Sequence, residues 1–301
     1  MLHINSAGGG VTVQAPAKIN LTLRVLARRP DGYHALESVV AGVSLYDGLR
    51  VEPDGDLRLV CRGMDVPTGA DNLVLKAARA LRERCGLKAG ARLVLEKRIP
   101  PGRGLGGGSS DAAAALVALN DLWGCGLGRP ALAAVGASVG SDVPLFFGPS
   151  MAVMRGRGEE VEPLEARFGW HVVLAWPAYT MPTVDVYGAY DRLGNQGGGG
   201  VTATAILEHL AGPARDAASF LVNDLEWAAD SIRDGRFDVR ACLLEAGAEA
   251  VGMTGSGSAY FAVADTEAEA RNWADAVEAA GVKTYVAVLH SEGTDRQENP
   301  T

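Results

Sequence analysis

The sequence predicts an α+β protein in two domains, and three observations carry that expectation. Its 301 residues, 48% of them hydrophobic, suffice for a large core shared between one or two domains. Strand-like and helix-like segments are mixed, without the strict alternation that a parallel sheet with crossover helices requires. Near residues 150–175 a hairpin-like segment, GPSMAVMRGRGEEVEP, interrupts the pattern and a comparable mixture then resumes, which sets the expected domains at 1–160 and 161–301.

The elements follow in order. Residues 11–26, VTVQAPAKINLTLRVL, alternate around Pro16 with Ile19, Leu21, Leu23 and Val25 on one face, so they read as two short strands or one bent strand. RRPDGYH is a turn by its Pro-Asp-Gly, and a strand is expected at Leu49 to Glu52. DNLVLKAARALRERCG reads as a helix with Asp71 as cap, Leu73, Val74, Ala77, Ala78 and Leu81 inward and Gly86 as stop. The strand ARLVLEKRI leads into a glycine-rich stretch, an alanine-rich helix capped by Ser109 or Ser110, and a second helix from Pro130 to about Val139. Past the hairpin come a buried strand, WHVVLAW, two helices in LVNDLEWAADSI and FDVRACLLEAG, and a turn then strand in GMTGSGSAYFAVAD. A helix from Glu267 to Ala280 and a strand KTYVAVL finish the fold. Residues 197–200, all glycine, suggest a disordered loop, and the polar tail 291–301 an unstructured end.

Composition narrows the function classes. A net charge of −8 argues against a nucleic-acid or anionic-membrane surface, while leaving room for a local basic pocket. The opening MLHINSAGGG has neither a basic nor an apolar leader region, and no run of apolar residues reaches membrane-spanning length, so the expected location is cytoplasmic. Cys61, Cys85, Cys125 and Cys242 are scattered with no zinc-ligand spacing; they are expected to be reduced, mostly buried thiols.

The stretch IPPGRGLGGGSSDAAAAL, residues 99–116, poses the functional question. Gly102, Gly104 and Gly107 satisfy the dinucleotide spacing, but Pro100 and Pro101 separate strand from loop and no acidic residue ends a following strand. A P-loop needs Lys and Ser/Thr after its last glycine, whereas Gly108 and Ser109 follow Gly107. What survives is the physics of glycine backbone and a helix N-terminus offered to an anion, a phosphate cradle of a third kind; the plain alternative is a flexible linker.

Taken with PAKINLTLRV (16–25) and GMTGSGSAYFAV (252–263), that stretch resembles the three motifs of the GHMP kinase superfamily. The resemblance implies an N-terminal domain like ribosomal protein S5, a ferredoxin-like C-terminal domain, ATP with Mg²⁺ in the cleft between them, and the glycine loop around the phosphates. RRPDGYHALESVV and GSDVPLFF (140–147) are similar to the branch whose acceptor is cytidine diphosphate methylerythritol, phosphorylated on its 2-hydroxyl in the non-mevalonate isoprenoid route. Three positions depart from the family: Pro101 replaces a usual Met, Arg103 a usual small residue, free to contact phosphate or point to solvent, and Ser141 the usual alanine before the aspartate, which it could perturb by one hydrogen bond.

Residue by residue, the resemblance makes Asp142 the base and Lys18 the group that polarises the acceptor hydroxyl. Asp142 could instead cap its turn, and Lys18 could be a solvated edge charge. Tyr33 and Tyr187 offer flat faces to a base, His34 hydrogen bonds to its edge, and Asn20 and Thr183 lie near the acceptor. Gly102, Gly104, Gly106, Gly107, Gly108, Ser109 and Ser110 belong to the phosphates, with Asn72 and Lys97 near the adenine; Asn72 could equally cap a helix. The loop Thr254 to Ser258 is expected to close on the acceptor phosphates or to support the glycine loop. Another GHMP kinase, a non-catalytic nucleotide-binding module and a dehydrogenase are the competing readings.

Overall fold

The computed structural model describes residues 2–7, 9–166, 169–194, 206, 210 and 212–290, so the expectations for 197–200 and 291–301 lie outside the described residues. The first sheet is built on two very long strands, β2 (Gly10–Arg28) and β3 (His34–Asp54), joined by the Pro-Asp-Gly turn. Beside them lie β1 (His3–Ala7), β4 (Leu57–Gly63) and β5 (Gly90–Lys97) in the order β1-β2-β3-β5-β4. The hairpin β6 (Met151–Gly156) and β7 (Glu160–Pro163) extends the other half of β3. Helices α1 (Leu73–Arg84), α2 (Gly107–Leu122) and α3 (Arg129–Val139) cover this sheet.

The second sheet is antiparallel. Its order is β10 (Val251–Met253), β11 (Tyr260–Ala264), β8 (His171–Trp176) and β12 (Lys283–Val288). Further α-helices among the described residues are α4 (Thr183–Leu193), α5 (Glu226–Ser231), α6 (Val239–Glu245) and α7 (Glu267–Ala279), the last packed on β8, β11 and β12. A two-residue strand β9 (Val222–Asn223) leaves the second half and pairs in parallel with Thr22 and Leu23 of β2.

β2 is one bent strand, with register shifts at Pro16/Ala17, Asn20/Thr22 and Val25/Arg28. It runs out of one core into another. Val11, Val13 and Ala15 pack with α1 to α3, whereas Ile19 and Leu21 pack with Trp170, Val172, Leu174 and Phe261 of the second half. Because both faces of its middle are covered, Lys18, Asn20 and Thr22 are also buried, which period-2 alternation alone does not announce.

Several local expectations are corrected. Asn72, not Asp71, caps α1 by accepting from Val74 N at 2.9 Å. α2 starts two residues before Ser109, its cap is Gly106 at φ +70°, and neither serine caps it. LVNDLEWAADSI is β9 followed by the short α5, because Asn223 and Asp224 bind backbone rather than continue a helix. In GMTGSGSAYFAV, Gly252 and Met253 belong to β10, so the turn is flanked by two strands. The strand expected at Leu49 to Glu52 is the far end of β3. All four cysteines are free thiols of intermediate exposure, less buried than expected.

Candidate active site

A cavity of about 730 Å³ opens between the two sheets. β2 contributes Lys18 and Asn20, the turn into β3 Tyr33 and His34, the glycine stretch Gly104 and Gly106, and the segment after α3 Ser141 and Asp142. Opposite them stand Arg157 of the β6–β7 turn, Ser256 of the β10–β11 loop, and Thr183, Tyr187 and Asp191, spaced four apart on α4 and therefore on one helical face. The seven residues expected at the chemistry and the acceptor thus line one space. A second cavity of about 270 Å³ is bordered by Asn72, Lys97, Gly102 and Gly108, residues expected on the ATP side.

The three motifs are physically fastened. Lys18 N donates to Leu105 O at 3.0 Å, joining the first motif to the second. Asn20 Oδ1 accepts from Lys18 Nζ at 2.5 Å, from Gly255 N at 2.8 Å and from Thr254 Oγ1 at 3.2 Å, while Nδ2 donates to Ser38 Oγ at 2.7 Å. The Thr254 hydroxyl shares its hydrogen with Gly104 O at 3.0 Å. Asn20 is therefore the hub that holds the glycine stretch, the third loop and the Lys18 ammonium in register. Asn223 holds that loop from behind, its Nδ2 donating to Met253 O and Gly255 O, both at 2.8 Å.

The glycines have protein neighbours where phosphate was expected. A Cβ at Gly104, where φ is +77°, would stand 2.0 Å from Thr254 O. At Gly106 it would meet the Lys18 side chain at 2.8 Å, and at Gly107 it would meet Ile99 and Lys97 at 2.8 Å. These three are glycine because loop, strand and lysine pack against each other, with two of them also in the left-handed region. Gly108 is different: its nearest neighbour is Leu73 Cδ1 at 3.5 Å, ordinary contact.

Lys18 is 4% exposed, and burial pulls its ammonium below the ordinary lysine range while the charge of Asp142 partly offsets that pull. The ammonium bonds Asn20, and no ion pair joins it to Asp142. The two charges therefore face the cavity as separate groups. Gly158, at φ +113°, brings its backbone so close that a Cβ there would lie 3.1 Å from Asp142 Oδ1. Tyr187 is held fully protonated, its phenol pushed up to about 12 by burial and by the nearby Asp142 charge.

His34 is tied down on three sides. Its Nε2 lies 2.7 Å from Asp191 Oδ1, Tyr187 stacks on the ring at 5.8 Å and 24°, and Tyr190 meets it edge-on at 5.8 Å. The other ring nitrogen, Nδ1, is buried without a partner. Tyr33 is 59% exposed at the rim, and its ring is covered by the Arg157 guanidinium at 5.1 Å. The aromatic face inside the cavity is that of Tyr187. Thr183 Oγ1 lies 2.9 Å from Ser256 Oγ, linking α4 to the third loop.

Around the second cavity, the amide of Asn72 is spent within the fold, its Nδ2 donating to Pro67 O at 2.7 Å while Oδ1 caps α1. Lys97 is buried between Asp47 and Asp111, with Asp111 Oδ2 at 2.9 Å. Asp47 also accepts from Arg98 N and Ile99 N, which fixes the exit of β5 into the glycine stretch. Burial pushes the Asp111 carboxyl up to about 8 against the pull of Lys97. Ser110 Oγ and Asp111 Oδ1 are buried with no partner in the first turns of α2. Ser109, one residue earlier, is half-exposed on the same turn.

Sequence reasoning did not single out Asp191, Arg157, Asn223 or Asp47. Asp191 was within reach, because Thr183, Tyr187 and Asp191 share one helical stripe. The other three are brought in by chain reversals distant in sequence, for which no local pattern exists.

Comparison with known proteins agrees with this geometry. Residues 72–148 match the family described as GHMP kinases N terminal domain, and residues 217–283 match GHMP kinases C terminal. A protein of Pelotomaculum thermopropionicum named 4-diphosphocytidyl-2-C-methyl-D-erythritol kinase is 41% identical over 85% of this chain and 90% of its own length. One of the same name from Exiguobacterium sibiricum is 38% identical over 94% of this chain and 99% of its own. A crystal structure of 4-(cytidine 5'-diphospho)-2C-methyl-D-erythritol kinase superposes with a TM-score of 0.79 at 38% identity, covering 93% of this chain and 99% of that one.

Proposed function

The chain belongs to the GHMP kinases, with the 4-diphosphocytidyl-2-C-methyl-D-erythritol kinases among them, and on that premise we propose how its cleft divides the work. It is an ATP-dependent kinase of the non-mevalonate isoprenoid pathway that phosphorylates the 2-hydroxyl of 4-diphosphocytidyl-2-C-methyl-D-erythritol. The observation that carries the assignment of roles is the pair Lys18 and Asp142, facing one cavity without pairing to each other. An acceptor hydroxyl held between them has a cation to lower its electron density and a carboxylate to take its proton. As the acceptor oxygen bonds to the γ-phosphorus, the bond to the β–γ bridging oxygen breaks, ADP leaves and the hydroxyl proton passes to Asp142.

The rest of the site orients. Asn20 steadies Lys18, Thr183 and Ser256 wall the acceptor, Tyr187 gives the base a flat face, Tyr33 closes the rim and His34 reads the base edge. The stretch Gly102 to Ser110 wraps the phosphates at the N-terminus of α2, with Asn72 and Lys97 bordering the adenine space. Mg²⁺ suits the unpartnered oxygens of Ser110 and Asp111, which are hard donors of the kind it takes alongside phosphate oxygens. When bound, it supplies charge neutralisation at the phosphates. We assign the ATP-binding half to 1–160 and the second half to 161–301. Partners in this reading are ATP and the cytidine acceptor, without nucleic acid or membrane, in the cytoplasm; among the described residues no helix is long and apolar enough to cross a membrane.

The test is ADP release over a panel of phosphorylatable alcohols. The cytidine acceptor should be turned over, while homoserine, mevalonate and phosphomevalonate should not. ADP appearing with one of those three and not with the cytidine compound overturns the reading.

A further inference from the structure

Arg103 stands between Gly102 at φ +67° and Gly104 at φ +77°, yet its side chain is turned inward and only 9% exposed. It lines neither of the two cavities described above and is largely shielded from solvent. Nη1 donates to Ser258 Oγ at 2.7 Å and Nη2 to Ala178 O at 3.1 Å, while its own carbonyl accepts from Ala259 N at 3.3 Å. Ser258 Oγ passes its hydrogen on to Tyr179 O at 2.9 Å. Every one of these partners is neutral, and among the described residues no carboxylate is placed to compensate the charge.

A buried cation with no counter-charge lowers stability, and a neutral side chain could brace the same loops without that cost. The chain roots this charge in the stretch that offers glycine backbone and a helix N-terminus to an anion, with the guanidinium directed at the third loop beside it. In poorly screened surroundings its field reaches beyond contact distance. The planar fork also fixes a distance, because two neighbouring nitrogens grip the third loop and the segment just before α4, which carries Thr183 and Tyr187.

We propose that Arg103 is a positioning residue of the phosphoryl transfer: it provides the uncompensated cation that the triphosphate neutralises, and its two-pronged grip sets the spacing between phosphate loop and acceptor wall. The inference rests on ATP being the phosphoryl donor and is independent of which acceptor is used.

The test compares Arg103→Met and Arg103→Lys in the full chain. ATP affinity is measured calorimetrically with Mg²⁺ and no acceptor, melting temperature without nucleotide, and kcat and KM separately. Arg103→Met should melt at the wild-type temperature or above it and bind ATP at least about tenfold more weakly. Arg103→Lys keeps the charge and loses the fork, so it should recover most of the ATP affinity while kcat stays reduced at least about fivefold. ATP affinity within twofold of wild type in Arg103→Met overturns the electrostatic part, and a lowered melting temperature with unchanged affinity marks a plain structural brace. Should Arg103→Met fail to fold, Arg103→Lys decides: unchanged kcat overturns the spacing role. A wild-type chain that binds ATP but leaves the cytidine acceptor untouched sinks the functional reading instead, and the Arg103 comparison stays readable.

Discussion

Lys18 shows how one residue can be costly to the fold and, in the proposed function, serve the chemistry. Its ammonium is buried and held below the ordinary lysine range, so an unfolded chain binds this proton more readily than the folded one at alkaline pH. A depressed folded pKa means that the group's stability contribution is fully present above the unfolded value and is lost as pH falls through the folded one. At neutral pH the charge is therefore a burden, and Lys18→Met should leave the melting temperature unchanged or raised while kcat drops at least ~10²-fold. Asp142→Asn should lower kcat by a similar factor with little change in melting temperature. Either variant within a few-fold of wild type in kcat removes that residue from the mechanism. Gly158→Ala is a sharper probe of the same carboxylate, since its Cβ would press on Asp142 Oδ1 from a φ that alanine resists; kcat should fall more than ATP affinity does.

At the scale of elements, the glycine stretch divides into residues that serve the fold and residues that face ligand. Gly104→Ala would drive a Cβ into Thr254 O, and the strained backbone adds to the clash, so stability should fall by about 2 kcal/mol or more in urea titrations. Gly108→Ala meets only ordinary contacts inside a helix; its stability should hold or rise, and any loss should appear in ATP affinity. Equal destabilisation by both would contradict this division. Lys97, expected from resemblance beside the adenine, also closes a buried cluster with Asp47 and Asp111 at the junction of β5 and α2. Lys97→Met removes the buried cation that Asp47 and Asp111 share and should cost about 3–5 kcal/mol, far more than loss of an adenine contact. A folded variant of wild-type stability would return Lys97 to a ligand role alone.

At the scale of the molecule, the cleft exists because β2 and β3 are long enough to belong to both cores, and because His34 of β3 is bonded to Asp191 of α4 across its mouth. That bond also fixes the orientation of the His34 ring against Tyr187. In the proposed reading, a ring held in one orientation suits one pattern of donors and acceptors on the base edge and not the exchanged one. Wild type should prefer the cytidine acceptor over its uridine counterpart by at least ~10-fold in kcat/KM, and His34→Ala should erase most of that preference. Equal use of both bases by wild type would show that the edge is not read.

The α+β class, most of the longer elements and seven residues of the large cavity were legible in the sequence, because periodicity, turn residues and three motifs are local signals; β1, β4, β9, β10 and α4 were not. Lys18, Asn20 and Asp142 could be named from their motifs; that Asn20 fastens all three motifs together could not. Capping of α1 by Asn72 and of α2 by Gly106 turned on one or two residues, below the resolution of composition. Asp191, Arg157 and Asn223, the Asp47–Lys97–Asp111 cluster and the inward turn of Arg103 were decided by tertiary structure alone. Each depends on which distant segment folds against it, and electrostatics and close contact act through space, where neighbours along the chain carry no record of them.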